Sequence, residues 1–408
     1  MLQGRDGSAA KFAMEIVTEY GNAIGARRLM DITRAHIDSC LFHGQSGLDF
    51  AQRLVDGGAA VRVPTTLNVG AVDLLHPGLN RGDAKSIENG RRLMTAYQSM
   101  GCRPTWTCAP YQLADRPSFG EQIAWAESNA IVFVNSVVGA RTDRYGDFVD
   151  ICAAITGKVP EHGLHVTENR RGEIVFDVSE LPASWSTSEL LWPLLGLVVG
   201  RETGNHVPVI SGVSARPGED ALKAFGAAAA SSGAVALFHV VGVTPEAETL
   251  DHAFQGEAPI KTVRVTVTML LEAQRELTSA RSGHLVAISV GTPHFSLTEF
   301  EMLLALIDGK KRDPEIDFYV SSARDTVREV ERRGWTDALD RFGVELVTDT
   351  CTYLKPILRH ASGVVMTNSA KWAYYAPGNL GYEVIFGTLA DCVASARAGR
   401  VVVNQLGD

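Results

Sequence analysis

Short apolar, β-branched runs alternate with amphipathic stretches along most of this chain. "HVPVISG", "AVALFHVVG" and "HLVAISVG" read as strands, and the stretches 218–231 and 267–279 between them read as helices. Strands alternating with helix-length segments suggest an α/β domain. The N-terminal part repeats the pattern. "AKFAMEIVTEYGNAIGA" is a helix with a glycine stop, 47–56 and 83–100 are further helices, and a strand lies near Val61. "AIVFVNSVVGA" is expected as a strand over 130–134 that runs into a polar loop. At 408 residues the chain exceeds one ordinary core. The expected division is an α/β domain over 1–184, a second over 185–340, and a C-terminal segment, 341–408, that packs back on the first.

Composition narrows the function classes. Apolar residues make up 45% and charged residues 21%, as in globular proteins, and the net charge of −9 argues against a nucleic-acid surface. No charged n-region with an apolar h-region opens the sequence, and "LLWPLLGLVVG" is too short to span a bilayer. A cytoplasmic protein without membrane contact is expected. Cys40, Cys102, Cys108, Cys152, Cys351 and Cys392 are scattered and form no CxxC pair. Spacing alone makes each of them a buried apolar filler, and a disulfide framework is not expected in such a chain.

Two segments nevertheless echo each other. Thr107-Cys108-Ala109-Pro110-Tyr111 and Thr350-Cys351-Thr352-Tyr353 both follow apolar runs, while Cys392 sits near a helix start, where a thiol pKa falls. Dense polar clusters lie nearby. Ser128, Asn129, Asn135, Ser136, Arg141 and Thr142 follow Cys108, and Asn368, Ser369 and Lys371 follow Cys351. Asn-Ser pairs with a cation can hold a carboxylate, although two ordinary solvated loops fit the pattern equally. Thr65, Thr66 and Asn68 in "PTTLN" fit substrate contacts or a tight turn.

The blocks "AHIDSCLFHGQSGLDFAQRLV", "VPTTLNVGAVDL", "TCAPYQLADRPSFGEQIAWAESNAIVFVNSVVGARTDRYG", "ITGKVPEHGLHVTENR", "GTPHFSLTEF", "DTCTYLKP" and "MTNSAKWAYYAPG" stand in an order that resembles the aconitase X large subunit over nearly the whole chain. The resemblance implies an aconitase-like α/β fold of several three-layer α/β/α domains with mostly parallel sheets. It also implies an iron–sulfur cluster, or iron alone, held by Cys108, Cys351 and Cys392, with Cys40, Cys102 and Cys152 left to packing. Arg141 would clamp the substrate carboxylate, its planar fork bonding both oxygens. Lys371 would add a second positive charge, and His43 and His294 would hydrogen-bond the departing hydroxyl. A small swivel-domain subunit is the expected partner and carries a serine base. The implied reaction dehydrates a small hydroxy acid, cis-3-hydroxy-L-proline, to Δ1-pyrroline-2-carboxylate. The alternatives are the family's mevalonate 5-phosphate dehydratase, a non-catalytic iron–sulfur sensor, and a cysteine-nucleophile enzyme built on Cys108 and His43.

Overall fold

The computed structural model describes residues 1–280, 283–354 and 356–403, and three parallel sheets organise them. The first is small. Thr65–Leu67, Ala35–Ile37 and Ala124–Trp125 lie side by side in that order, with Ala35–Ile37 in the centre. Helices Ser8–Ala23, Gln45–Asp56, Ala84–Ser99 and Val149–Thr156 supply the rest of the first core, which includes Val17, Leu54, Leu93 and Ile151. A two-stranded antiparallel pair, Leu29–Asp31 with Lys158–Pro160, closes this unit.

The second sheet orders His239–Val240, Pro208–Ser211, Ile174–Asp177 and Lys261–Arg264, all parallel. Ile174–Asp177 is internal to it, so the second unit begins before residue 184. Two helices, Leu191–Thr203 and Glu219–Ser232, pack very closely here because Gly196 faces the Phe225 carbonyl oxygen. A Cβ at Gly196 would stand 2.3 Å from that oxygen.

The third sheet has five parallel strands: Val344–Val347, Asp317–Ser322, Leu285–Phe295, Val364–Thr367 and Glu383–Phe386. Every residue of Leu285–Phe295 is buried, as expected for a parallel strand covered on both faces. Neighbouring side chains go to opposite layers. Val364 and Met366 join a core with Phe300, Leu339 and Val393, while Val365 and Tyr319 join the core that holds Leu270 and Trp372. This sheet corrects the expected division at 340. The strands after 341 extend the sheet begun at 285, because their apolar faces complete the same two layers.

The expected strand at 130–134 is also corrected. Ser128–Phe133 is an α-helix that continues as a π-helical turn over Val134–Val138. Glu127 caps it, its carboxylate accepting the Ala130 amide at 2.8 Å. A short apolar run buried on all sides has no periodicity to separate helix from strand, and the cap decides.

Units one and two are joined by Arg170, which is fully buried. Its Nε donates to both Glu246 oxygens at 2.9 Å, and Nη1 donates to Asn135 Oδ1 at 3.1 Å and the Leu164 carbonyl at 3.0 Å. Replacing Arg170 with Ala strands these acceptors away from water. It should cost on the order of 3–5 kcal/mol in chemical denaturation. A loss under about 1 kcal/mol would show that solvent reaches the vacated site.

Candidate metal and substrate site

The carboxyl ends of the first sheet define the site. Asn68, Asp38 and Glu127 each lie just past the end of one of its three strands, with Asp38 on the central one. Ligand-binding groups gather at such strand ends in open parallel sheets. Asn68 Nδ2 donates to Asp38 Oδ1, and the Asp38 amide donates to Asp150 Oδ2 at 2.8 Å. Burial, reinforced by the charges of Glu127 and Asp147, pushes the Asp38 carboxyl up to about 7.

Glu127 holds an unusual backbone, φ 79°, and forms a buried ion pair with Lys371 from the first turn of the helix Ala370–Leu380. Burial alone would lower the lysine pKa, but the Glu127 charge outweighs it and the ammonium is held well above its ordinary value. Ser128 lies against the same pair, its hydroxyl 3.4 Å from Lys371 Nζ. Asn129 accepts from the Tyr111 hydroxyl at 2.6 Å and donates to the Cys108 carbonyl at 2.9 Å, so it sets the loop that carries Cys108.

Three buried side chains converge behind this row. The ligand atoms of Cys108, His294 and Cys351 all lie within 4.8 Å of one another. Each comes from a different loop or strand end. Cys108 follows the Thr105–Thr107 segment docked on Leu67, His294 lies near the end of the long strand Leu285–Phe295, and Cys351 follows Val344–Val347. The third unit's loop is pinned to the first through Asp73, which accepts the Thr348 amide at 2.8 Å, and through the Gly70 amide, which donates to the Asp349 carbonyl at 2.6 Å. Thr107 Oγ1 lies 3.2 Å from His294 Nδ1, while Nε2 lies 3.4 Å from the Thr350 carbonyl oxygen and 4.0 Å from Cys351 Sγ. The His294 amide donates to Cys108 Sγ at 3.3 Å. Burial lowers the imidazole pKa to about 4, so the ring is neutral, the form that binds metal. Two thiols and a neutral imidazole suit a soft or borderline transition metal, and three protein ligands leave positions for other donors.

Cys108 also lines a cavity of about 330 Å³ with Asp38, His43, Asn68, Glu127, Ser128, Arg144 and Lys371. Tyr145, Tyr353, Leu354 and Ile131 supply apolar wall. His43, Asn68, Ser128 and Lys371, all expected at a site, line this one cavity.

Several expected residues lie elsewhere. Cys392 corrects the three-cysteine set. Its side chain is fully buried in the core of the third unit with Phe300 and Val393, beside Asp391 and Glu189, and it is not in the group around Cys351. The first turn of the helix Leu389–Ala398 aims it into the sheet, and burial pushes its thiol pKa up. His294 is a candidate ligand with no exposed surface, and it does not line the cavity. Arg141 lines a separate cleft with Arg27 and His162, donating to Thr167 Oγ1 at 2.7 Å. Thr65 and Thr66 line a groove with Arg34 and Arg103, Thr66 Oγ1 lying 2.8 Å from His36 Nδ1. Asn135, Ser136 and Thr142 are internal braces. Asn135 Oδ1 accepts the Thr142 amide at 3.0 Å, and Ser136 Oγ accepts the Phe238 amide at 2.9 Å. Asn368 and Ser369 line a second cavity, where Ser369 caps the helix Ala370–Leu380. Cys40, Cys102 and Cys152 are buried in the first core.

Asp38, Glu127 and Arg144 were not foreseen. The signal available for Asp38 and Glu127 was a carboxylate immediately past a short apolar strand.

Models of the aconitase X first, second and third domains match residues 1–168, 172–275 and 285–398. The chain belongs to the aconitase X family. It is 46% identical over 403 residues to a cis-3-hydroxy-L-proline dehydratase of Pseudomonas aeruginosa, covering 98% of this chain and 69% of that one. It is 35% identical to a phosphomevalonate dehydratase large subunit of Methanothermobacter thermautotrophicus, over 95% of this chain and 94% of that one. The crystal structure of Thermococcus kodakaraensis aconitase X in its holo form superposes with a TM-score of 0.86 at 31% identity, covering 97% of both chains. The family's α/β architecture with several parallel sheets is the one described above. No helix among the described residues is long and apolar enough to cross a membrane.

Replacing Cys108 or Cys351 with Ser should lower metal affinity by at least roughly tenfold, the scale of losing a supporting group or more. Cys392→Ser should keep the metal content of the parent protein. Metal analysis after anaerobic purification checks both, and loss of metal from Cys392→Ser would return that thiol to the ligand set.

Proposed function

We propose that this chain dehydrates cis-3-hydroxy-L-proline to Δ1-pyrroline-2-carboxylate. The observation that carries the reading is the double placement of Cys108, in the buried thiol–imidazole group and in the wall of the 330 Å³ cavity. A group able to hold a metal thus faces the volume in which a small acid fits. That volume is at the small end of ligand sites, which suits a compact imino acid. The 46% identity to a named cis-3-hydroxy-L-proline dehydratase supports the same substrate.

Iron, as a single ion or a small iron–sulfur cluster, would be held by Cys108, Cys351 and His294 and would supply Lewis acidity toward the substrate hydroxyl. The chain's own residues do the rest. Arg144 lines the cavity, is exposed, and makes no ion pair or side-chain hydrogen bond among the described residues. Its fork binds the substrate carboxylate, and neutralising that charge makes the C2 proton more acidic. Lys371 stays engaged with Glu127, so it fixes the charge of the wall and does not compete for the carboxylate. Tyr145, Tyr353, Leu354 and Ile131 pack the ring and exclude water. The base for the C2 proton is carried by a swivel unit, either a small subunit or a further segment. Two kinds of relative support this: some are named large subunits, and the Pseudomonas protein is longer than the region matched here.

Phosphomevalonate is the competing substrate, favoured by the 30–35% identical relatives. Iron-loaded protein supplied with a small subunit of the family should prefer cis-3-hydroxy-L-proline over mevalonate 5-phosphate by on the order of 100-fold in kcat/KM, since a phosphate lacking its cationic partners is strongly disfavoured. Turnover of the phosphate ester alone would reverse the assignment. Binding of iron without turnover of either substrate would favour a sensor. Arg144→Ala should raise KM by roughly tenfold or more, while Arg141→Ala stays within about twofold of the parent. The reverse pattern would move the carboxylate to the Arg141 cleft.

A further inference from the structure

Asp38 has no function in the reading above, yet both its backbone and its side chain are held in place at the cavity wall. It stands at the end of the central strand, between Asn68 on one side and Glu127 on the other, and it lines the same space as Cys108. Only one of its oxygens is engaged. Oδ1 accepts from Asn68 Nδ2, while Oδ2 has no hydrogen-bond partner among the described residues. Its backbone is held by the Asp150 carboxylate through the Asp38 and Ser39 amides, at 2.8 and 3.0 Å.

Asn68 adds a second observation. Its side-chain Oδ1 is buried and has no hydrogen-bond partner among the described residues. A buried acceptor without a donor is costly. A half-turn of the amide would present Oδ1 to Asp38, and a protonated Asp38 would be the missing donor. The Asn68 amide can therefore serve both states of the carboxyl, donating to the carboxylate and accepting from the acid.

We propose that Asp38 is the general acid that delivers a proton to the departing 3-hydroxyl, a proposal that rests on the hydro-lyase reading. In the step, the C2–H bond breaks and its proton passes to the base on the swivel unit. The electron pair forms the C2=C3 bond of an enamine, which becomes Δ1-pyrroline-2-carboxylate afterwards as the ring nitrogen gives up its proton to solvent and C3 takes one up. The C3–O bond breaks with its pair on oxygen, and that oxygen takes the Asp38 proton and leaves as water. Asp38 remains as carboxylate, hydrogen-bonded by Asn68, and is reprotonated from solvent before the next turnover.

The surroundings fit a donor. Asp38 faces Glu127, Asp147 and Asp150, and the cavity also presents His43, Arg144 and Lys371. Burial and the neighbouring carboxylates keep the proton on Asp38 up to about pH 7, where the ordinary carboxyl would have lost it. The active form is the protonated one. Its contribution is therefore complete below about pH 7 and lost as pH rises through that value.

The test compares the metal-loaded complex with Asp38→Asn and Asp38→Glu, measuring elimination and exchange of the C2 hydrogen with deuterated solvent. Asp38→Asn should keep its metal and the C2 exchange while elimination falls on the order of 100-fold, the scale of general acid catalysis. Asp38→Glu should recover part of it. The fall in kcat on the alkaline side near pH 7 should vanish in Asp38→Asn. Infrared titration of the metal-free protein should show one protonated carboxyl fewer near neutral pH. Elimination within about threefold of the parent in Asp38→Asn would overturn the proposal and leave the hydro-lyase reading standing. Loss of C2 exchange together with elimination would also overturn it, since Asp38 would then act before C–O cleavage. A parent complex that dehydrates no 3-hydroxy acid would overturn both.

Discussion

A buried ion pair, Glu127 with Lys371, ties the first unit of this chain to the third. Two charges removed from water cost several kcal/mol each unless their remaining bonds are satisfied. Glu127 meets that demand with the Ala130 amide, the Asn129 amide group and the Ser128 hydroxyl, in addition to Lys371. Its φ of 79° is the backbone strain accepted to aim the carboxylate inward. Lys371 stands in the first turn of a helix, where a cation is disfavoured by the dipole, so its place there depends on the partner carboxylate. From this pair the rest follows: the helix capped by Glu127, Asn129 on the Cys108 carbonyl, and the Cys108 loop facing the third sheet.

The same dependence explains what could be read in the sequence and what could not. The alternation of strand and helix signals was legible because it is local, and Leu285–Phe295 and Ala84–Ser99 fall where it placed them. The run from Ala130 to Val134 was misread because a fully buried helix carries no amphipathic period, and its deciding cap is the side chain of a glutamate just before it. Cys108 and Cys351 were legible as a pair through their repeated strand–Thr–Cys context. Cys392 shared only the residue type, and its helix turns it into the core of the third unit. His294 is legible in the sequence as a hydrogen-bonding candidate and not as a ligand, because its approach to the thiols depends on a 186-residue separation that no spacing rule spans.

Arg141 and Arg144 show the limit most simply. Both follow the same polar loop, three residues apart, and by residue type either fits the clamp. The isolated bridge of Gln122 with Arg141 turns the first toward the cleft of Arg27 and His162, leaving the second at the cavity. Which arginine lines the cavity is decided by one backbone pairing.

Charge then sets the order in which the site can fill. Lys371 is neutralised by Glu127, so Arg144 is a cavity cation that pairs with no carboxylate among the described residues, and the carboxyl of Asp38 lies on the same wall. The Cys351 thiol behind that wall is held well above its ordinary range by its hydrogen bond with Cys108 and by burial, so it adds no charge while it keeps its proton. A metal bound there would take it as thiolate and release that proton. The proton on Asp38 is then what keeps the inner wall from repelling an anionic acid, because burial and the charges of Glu127 and Asp147 hold that carboxyl up to about 7.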